Sequence, residues 1–167
     1  MSGSGRDAPE VVAVDLANAT HGHHLLALLD HYARDPMGGG VGLAPAATAR
    51  LLEDLRQLPQ YHGALALRAG QAVGLINCLA GYSTFAARPL LNVHDIVVHR
   101  DHRSQGVGQA LLHWAEARAR ALGCCKLTLE VLSGNGVAVR SYRQAGYAPY
   151  QLDPQAGQAI LMQKWLD

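Results

Sequence analysis

The segment Arg103–Ser104–Gln105–Gly106–Val107–Gly108 places a guanidinium and two glycines between a strand-like run, Leu90–His99, and a helix-like one, Val107–Leu122. A helix start offers unpaired N–H groups and a partial positive charge of about half a unit. Glycine removes the side chain that would keep a ligand away from that backbone. His99, Arg100 and His102 add basic potential. Donors, close approach and charge together suit a pyrophosphate. Two familiar phosphate loops match poorly. Gly106-x-Gly108-x-x-Leu111 has Leu where the dinucleotide fingerprint needs Gly or Ala, and no Gly-Lys-Ser/Thr follows.

Two further groups could do chemistry. Asn135 opens a short helical stretch as a good N-cap. Tyr142 lies seven residues on, about two turns, and so on the same face. A tyrosine hydroxyl, with an ordinary pKa of about 10, is protonated at neutral pH and can act as a general acid. The second group is the polar pair His94–Asp95 inside the apolar strand Leu90–Leu91–Asn92–Val93–His94–Asp95–Ile96. Such a pair costs free energy unless it is bonded or used. Strict alternation sends the two side chains to opposite faces, unless a bulge intervenes.

The elements that must carry these residues follow from periodicity. Val11–Leu16 suits a strand, and Thr20–Ala33 a helix with Leu25, Leu28, Leu29 and Tyr32 on one side. Pro36 and Gly38–Gly40 break that helix and form a loop. Pro45–Leu58 reads as a second helix with Leu51, Leu55 and Leu58 on its apolar face. Gly63–Arg68 and Val73–Ala80 flank the turn Ala69–Gly70 as a hairpin. The helix from Val107 turns Val107, Ala110, Leu111, Trp114 and Ala115 inward and the Glu116/Arg120 pair outward, with Gly123 as its stop. Lys126–Leu132 is a strand, Asn135–Ala145 a short helix, and Tyr147–Leu152 with Gln158–Trp165 a closing strand pair. This order implies an α/β (α+β) fold: a mixed, mostly antiparallel sheet of about six to seven strands, helices on both faces, and a parallel strand–helix–strand crossover. Ligands of such sheets bind near strand carboxyl ends, here after Leu90–His99.

Composition narrows the class. With 167 residues, 49% hydrophobic and 16% charged, the chain suits one globular domain. Residues 1–9 read as a disordered tail and 10–167 as the domain. The net charge of +1 divides into −2 over residues 1–84 and +3 over 85–167, and twelve of the fourteen basic residues are Arg. No basic stripe with interleaved aromatics marks a nucleic-acid binder, and no apolar run suits a membrane span or a secretory signal. Cys78, Cys124 and Cys125 form neither a disulfide framework nor a thiolate zinc site, and they read as small core residues of a protein in a reducing cytoplasm. His21, His23, His24 and His31 contain no i, i+4 pair and read as solvated, so no metal is expected.

Val98-x-x-x-x-Arg103-x-x-Gly106-x-Gly108 resembles the R/Q-x-x-G-x-G/A loop of the GNAT superfamily of N-acetyltransferases. Asn135-x-x-Ala138-x-x-x-Tyr142-x-x-x-Gly146-Tyr147 is similar to that superfamily's second motif at full register. Arg100 stands where many members have Pro, and His102 where many have Tyr or Phe. The resemblance covers nearly the whole chain. It implies acetyl transfer from acetyl-CoA to a primary amine, small-molecule or peptide, by direct attack in a ternary complex. It implies that the backbone of Ile96, Val97 and Val98 pairs with the pantetheine arm. The phosphates would lie on Arg103, Ser104, Gln105, Gly106, Val107, Gly108 and Gln109, and Asn135 would touch the arm. Tyr142 would touch the cofactor and be the general acid, and His94 or Asp95 would be the base, in a strand that usually carries a bulge in this family. Met37 and Gly38 of the Asp35–Gly40 loop, with Tyr82 and Ser83 (and Thr84 and Phe85 beyond them), are candidate acceptor walls. A homodimer is open to the chain. The competing reading is a non-catalytic acyl-CoA-binding sensor that keeps the loop and has lost the chemistry.

Overall fold

The computed structural model describes residues 8–166. Most of the expected tail, residues 1–7, lies outside the described residues. The chain forms two compact units, one running to Leu129 and the other starting at Glu130.

The first unit is a five-stranded sheet in the order β1 (Glu10–Ala13), β2 (Tyr61–Arg68), β3 (Gln71–Ser83), β4 (Arg88–Val98), β5 (Leu127–Leu129). The first three pairings are antiparallel and β4–β5 is parallel. Ala69 (φ 47°) and Gly70 (φ 76°) are both left-handed, the turn that suits the twist of the β2–β3 hairpin. Helices α1 (Ala19–Ala33) and α2 (Pro45–Arg56) precede β2, and α3 (Val107–Ala121) makes the right-of-way from β4 to β5.

Each sheet face buries a different helix. Leu25, Leu28 and Leu29 of α1 cluster with Leu65, Leu75 and Val97 of the sheet, and Leu51, Leu52 and Leu55 of α2 pack against them. The opposite face receives α3 through Val107, Leu111, Leu112, Ala115 and Ala119, all buried. Gly74 makes that approach possible, since a Cβ there would stand 2.7 Å from Val107 Cγ1. Burying each of these leucines contributes about 1.5–3 kcal/mol. Of the three cysteines only Cys78 is buried, and burial, followed by the Asp95 charge, pushes its thiol up to about 12. Cys124 and Cys125 are half-buried and not core residues.

The second unit holds α4 (Gly136–Gln144) and a 3-10 turn at Pro154–Ala156. The expected strands Tyr147–Leu152 and Gln158–Trp165 do not form: one backbone hydrogen bond, Ala159 N–H to the Tyr150 carbonyl at 3.3 Å, joins them. Pro149 removes a ladder donor from the first, and an apolar run without a paired edge is not a strand. Among the described residues the sheet therefore has five strands and not six or seven. β5 is also shorter than the expected Lys126–Leu132, because its ladder stops opposite Val93. Among the described residues no helix is long and apolar enough to cross a membrane.

Candidate active site

The register of β3 against β4 settles where His94 and Asp95 go. Asn77 pairs with Asp95 and Cys78 with Val93, which leaves His94 as the extra residue of a bulge. Val93 thus shares the α3 face with Cys78, while Asp95 shares the α1 face with Val97 and Asn77. His94 is exposed and Asp95 half-buried.

A hydrogen-bonded chain supports Asp95. Asn77 is the only buried polar residue among the described residues, at 6% exposure. Its Nδ2 donates to Asp95 Oδ2 at 3.1 Å, and its Oδ1 accepts from the Tyr61 hydroxyl at 2.9 Å. Burial raises the Tyr61 pKa, and the charges of Cys78 and Asp95 add to that. The Tyr32 hydroxyl of α1 is raised as well, by burial first and then by the charges of Asp95 and Asp35. The Tyr32 hydroxyl donates to the Met37 carbonyl at 3.3 Å.

β4 also presents an open edge beyond the end of β5. β5 pairs β4 only at Leu91, Asn92 and Val93. Among the described residues no strand pairs that side of Ile96, Val97 and Val98, whose other side is taken by β3. The Val98 carbonyl accepts from Arg103 Nε at 3.3 Å.

Beyond β4 the backbone passes through a 3-10 turn, Arg100–His102, and turns left-handed at Ser104 (φ 57°) and again at Gly106 (φ 82°). Alternation of this kind aims successive N–H groups to one side and makes anion-binding concavities. Gly106 is the N-cap of α3 and supplies no side-chain cap. The first helical hydrogen bond runs from Ala110 N–H to the Gly106 carbonyl, so the N–H groups of Val107 and Gly108 precede it. A Cβ built on Gly106 meets no protein atom within 4 Å, so the space before the loop is open.

Two side chains of this loop are already engaged. Gln105 is held by Arg68, whose Nη2 donates to the Gln105 carbonyl at 2.9 Å, and Gln105 Nε2 donates to the Asp101 carbonyl at 2.9 Å. Arg103 pairs with Asp35 at 2.9 Å. The Met37 N–H and then Arg103 hold the Asp35 carboxyl below its ordinary range. Asp35 also caps the 3-10 turn Pro36–Gly38. The loop that begins at Asp35 thus starts as an ordered turn tied to Arg103 ahead of α3. His31 is not simply solvated either: it stacks on His99 with centroids 4.4 Å apart and accepts the Arg100 N–H on Nε2 at 3.3 Å.

Met37 and Gly38 thus stand beside Tyr32. Tyr82 and Ser83 do not join them. They lie at the far end of β3, where Tyr82 pairs with Pro89, five residues or about 17 Å along the strand from Asn77. Asn135 and Tyr142 belong to the second unit. Asn135 Oδ1 accepts from Ala138 N–H at 3.2 Å and caps α4, as its type and position require. The Tyr142 ring is tilted against Tyr147 at 6.1 Å. Sequence reasoning missed Tyr32, Asp35, Tyr61 and Asn77. The signal for Asn77 was present: it is the one amide side chain inside the run Val73–Ala80.

Comparison with known proteins agrees with this geometry. The model of the Acetyltransferase (GNAT) family matches residues 25–147. Streptothricin acetyltransferase of Streptomyces lavendulae is 38% identical over 85 residues, 49% of this chain and 45% of the relative. Aminoalkylphosphonate N-acetyltransferase of Salmonella typhimurium is 34% identical over 89 residues, 53% of this chain and 58% of the relative. The chain spans about half the length of these relatives. Among solved structures, a probable acetyltransferase superposes with a TM-score of 0.78 at 20% identity, covering 95% of this chain and 99% of the other. An aminoglycoside N-acetyltransferase in complex with CoA gives a TM-score of 0.73 at 18% identity, over 96% and 97% of the two chains. These two likenesses establish a shared fold. With a family model matched over most of its length and a bulged β4 leading to an open, uncapped helix start, the chain belongs to the GNAT family of acetyltransferases.

Proposed function

We propose that residues 10–167 act as one N-acetyltransferase domain, moving an acetyl group from acetyl-CoA to a primary amine while both are bound. The observation that carries this reading is the α3 entry: two left-handed residues, no capping side chain and open space before Gly106. Those features fit a diphosphate, and the unpaired edge of Ile96–Val98 fits a pantetheine arm. When bound, acetyl-CoA supplies an acyl group activated as a thioester. The N–H groups from Ser104 to Gly108 bind phosphate, and Gln109 completes that turn. Arg103 contributes a cation it shares with Asp35. Gln105 serves through its backbone N–H, because its side chain accepts from Arg68 and donates to the Asp101 carbonyl. Asn135 is assigned to the cofactor arm.

Asp95 is assigned the proton of the acceptor amine, directly or through water, and the exposed His94 is the second candidate. Tyr142 is assigned as general acid toward the departing thiolate. Met37 and Gly38 wall the acceptor beside Tyr32, while Tyr82 and Ser83 would meet only the far end of an elongated one. The acceptor class is a small-molecule or peptide amine. Relatives that acetylate streptothricin and aminoalkylphosphonates support an amine in general. Three free thiols fit a cytoplasmic setting. The exposed Ile160, Leu161, Met162 and Trp165 support a homodimer, which sedimentation would register as twice 17.8 kDa.

The test is release of coenzyme A thiol from acetyl-CoA across a panel of polyamines, aminoglycosides, amino acids and peptides. Turnover on at least one acceptor is expected. Tyr142→Phe should lower it by about tenfold or more with coenzyme A affinity unchanged. Tight coenzyme A binding without turnover on any acceptor would favour the sensor reading.

A further inference from the structure

Asn77 is costly where it stands. It occupies the middle of the central strand with 6% exposure, and an amide buried without partners would cost about 1–3 kcal/mol. Both its ends are used: Nδ2 on Asp95 and Oδ1 on Tyr61. The direction of these bonds is dictated by chemistry. An ionised carboxylate only accepts, so the amide must turn Nδ2 toward Asp95. Oδ1 then faces Tyr61, and only a hydroxyl that donates can satisfy it. Burial keeps the Tyr61 hydroxyl protonated and therefore able to donate. The donors thus run one way, from Tyr61 through Asn77 to Asp95. An amide fixed at both ends cannot flip, and a fixed amide holds one oxygen of the carboxylate beside a bulge that would otherwise leave it freer.

We infer that Tyr61 and Asn77 are positioning residues for acetyl transfer: they lock Asp95 in the orientation in which it meets the acceptor amine, Tyr61 acting wholly through Asn77. This rests on the assignment of Asp95 as proton acceptor. Tyr61 touches neither reactant in this role. It stands one hydrogen bond behind Asn77 and two behind the carboxylate. Without its hydroxyl, the amide can present Oδ1 to Asp95 and repel it.

A double-mutant cycle on the full chain tests this, with Tyr61→Phe, Asp95→Asn and the pair, assayed by thiol release. Tyr61→Phe keeps the buried ring, and melting curves check that the fold survives. The expected result is a fall in kcat of about tenfold, matching loss of the Asn77–Asp95 bond once the amide is free to turn, with the KM for acetyl-CoA unchanged. In the Asp95→Asn background the same change should do nothing further, because the oriented carboxylate is already gone. Full kcat in Tyr61→Phe, or the same fractional loss with and without Asp95, would overturn the positioning role while leaving Asp95 in place. Wild-type kcat in Asp95→Asn would remove Asp95 from the mechanism and this inference with it. Absence of thiol release from the wild type with every amine would refute the proposed activity itself, and the positioning role for it.

Discussion

Two helices of the first unit begin in opposite ways. At α1, Asn18 is extended (φ −83°, ψ 112°) and its Oδ1 accepts from the N–H groups of Thr20 at 2.9 Å and His21 at 3.4 Å. The helix closes its own start. At α3, Gly106 is left-handed, has no side chain to offer, and faces open space. The same orphan donors that α1 satisfies internally are left for something else at α3. The difference separates a helix start closed by its own side chain from one that the proposed function gives to an anion, on one sheet and in one chain.

Substitutions at the two starts should therefore give reciprocal effects. Gly106→Val puts a β-branched side chain at φ 82° and fills the open space. Coenzyme A affinity should fall on the order of a hundredfold, measured by calorimetry, through loss of charge-assisted N–H bonds to phosphate. Asn18→Ala should do the reverse. It should cost about 1 kcal/mol of folding stability in urea titration and leave coenzyme A affinity unchanged. If both changes cost only stability, the comparison fails.

A smaller effect concerns the approach to α3. His31 accepts the Arg100 N–H and stacks on His99, and burial, then the charges of His99, Arg100 and Arg103, lowers its pKa. The unfolded chain therefore takes up this proton first. Stability from the neutral imidazole is complete above about pH 6.5 and declines as pH falls below it toward the lowered folded value. Between pH 7.5 and 5 the wild type should lose more in Tm than His31→Gln. Equal losses would show that this contact does not sense protons.

The sequence made some of these features legible and hid others. The loop could be read because its chemistry is local: glycines, an arginine and a helix start lie within six consecutive residues. Both sheet-facing helices could be read for the same reason, since Leu25, Leu28 and Leu29 or Val107, Leu111 and Ala115 repeat at helical spacing. The choice between His94 and Asp95 could not be made, because the face of each depends on a bulge defined by pairing with β3. Asp35–Arg103 spans 68 residues and Tyr61–Asn77 sixteen, so neither contact leaves a periodic trace. The strands expected in residues 147–165 failed for a related reason: apolar content suggests a strand, but only a partner edge makes one.

The most direct measurement of the central claim is a calorimetric titration of the full chain with coenzyme A and, separately, with pantetheine, which lacks the diphosphate. The α3 entry predicts saturable heat and a raised Tm with coenzyme A, and affinity for pantetheine on the order of a hundredfold weaker. No heat and no protection with coenzyme A, or equal affinity for the two, would contradict it.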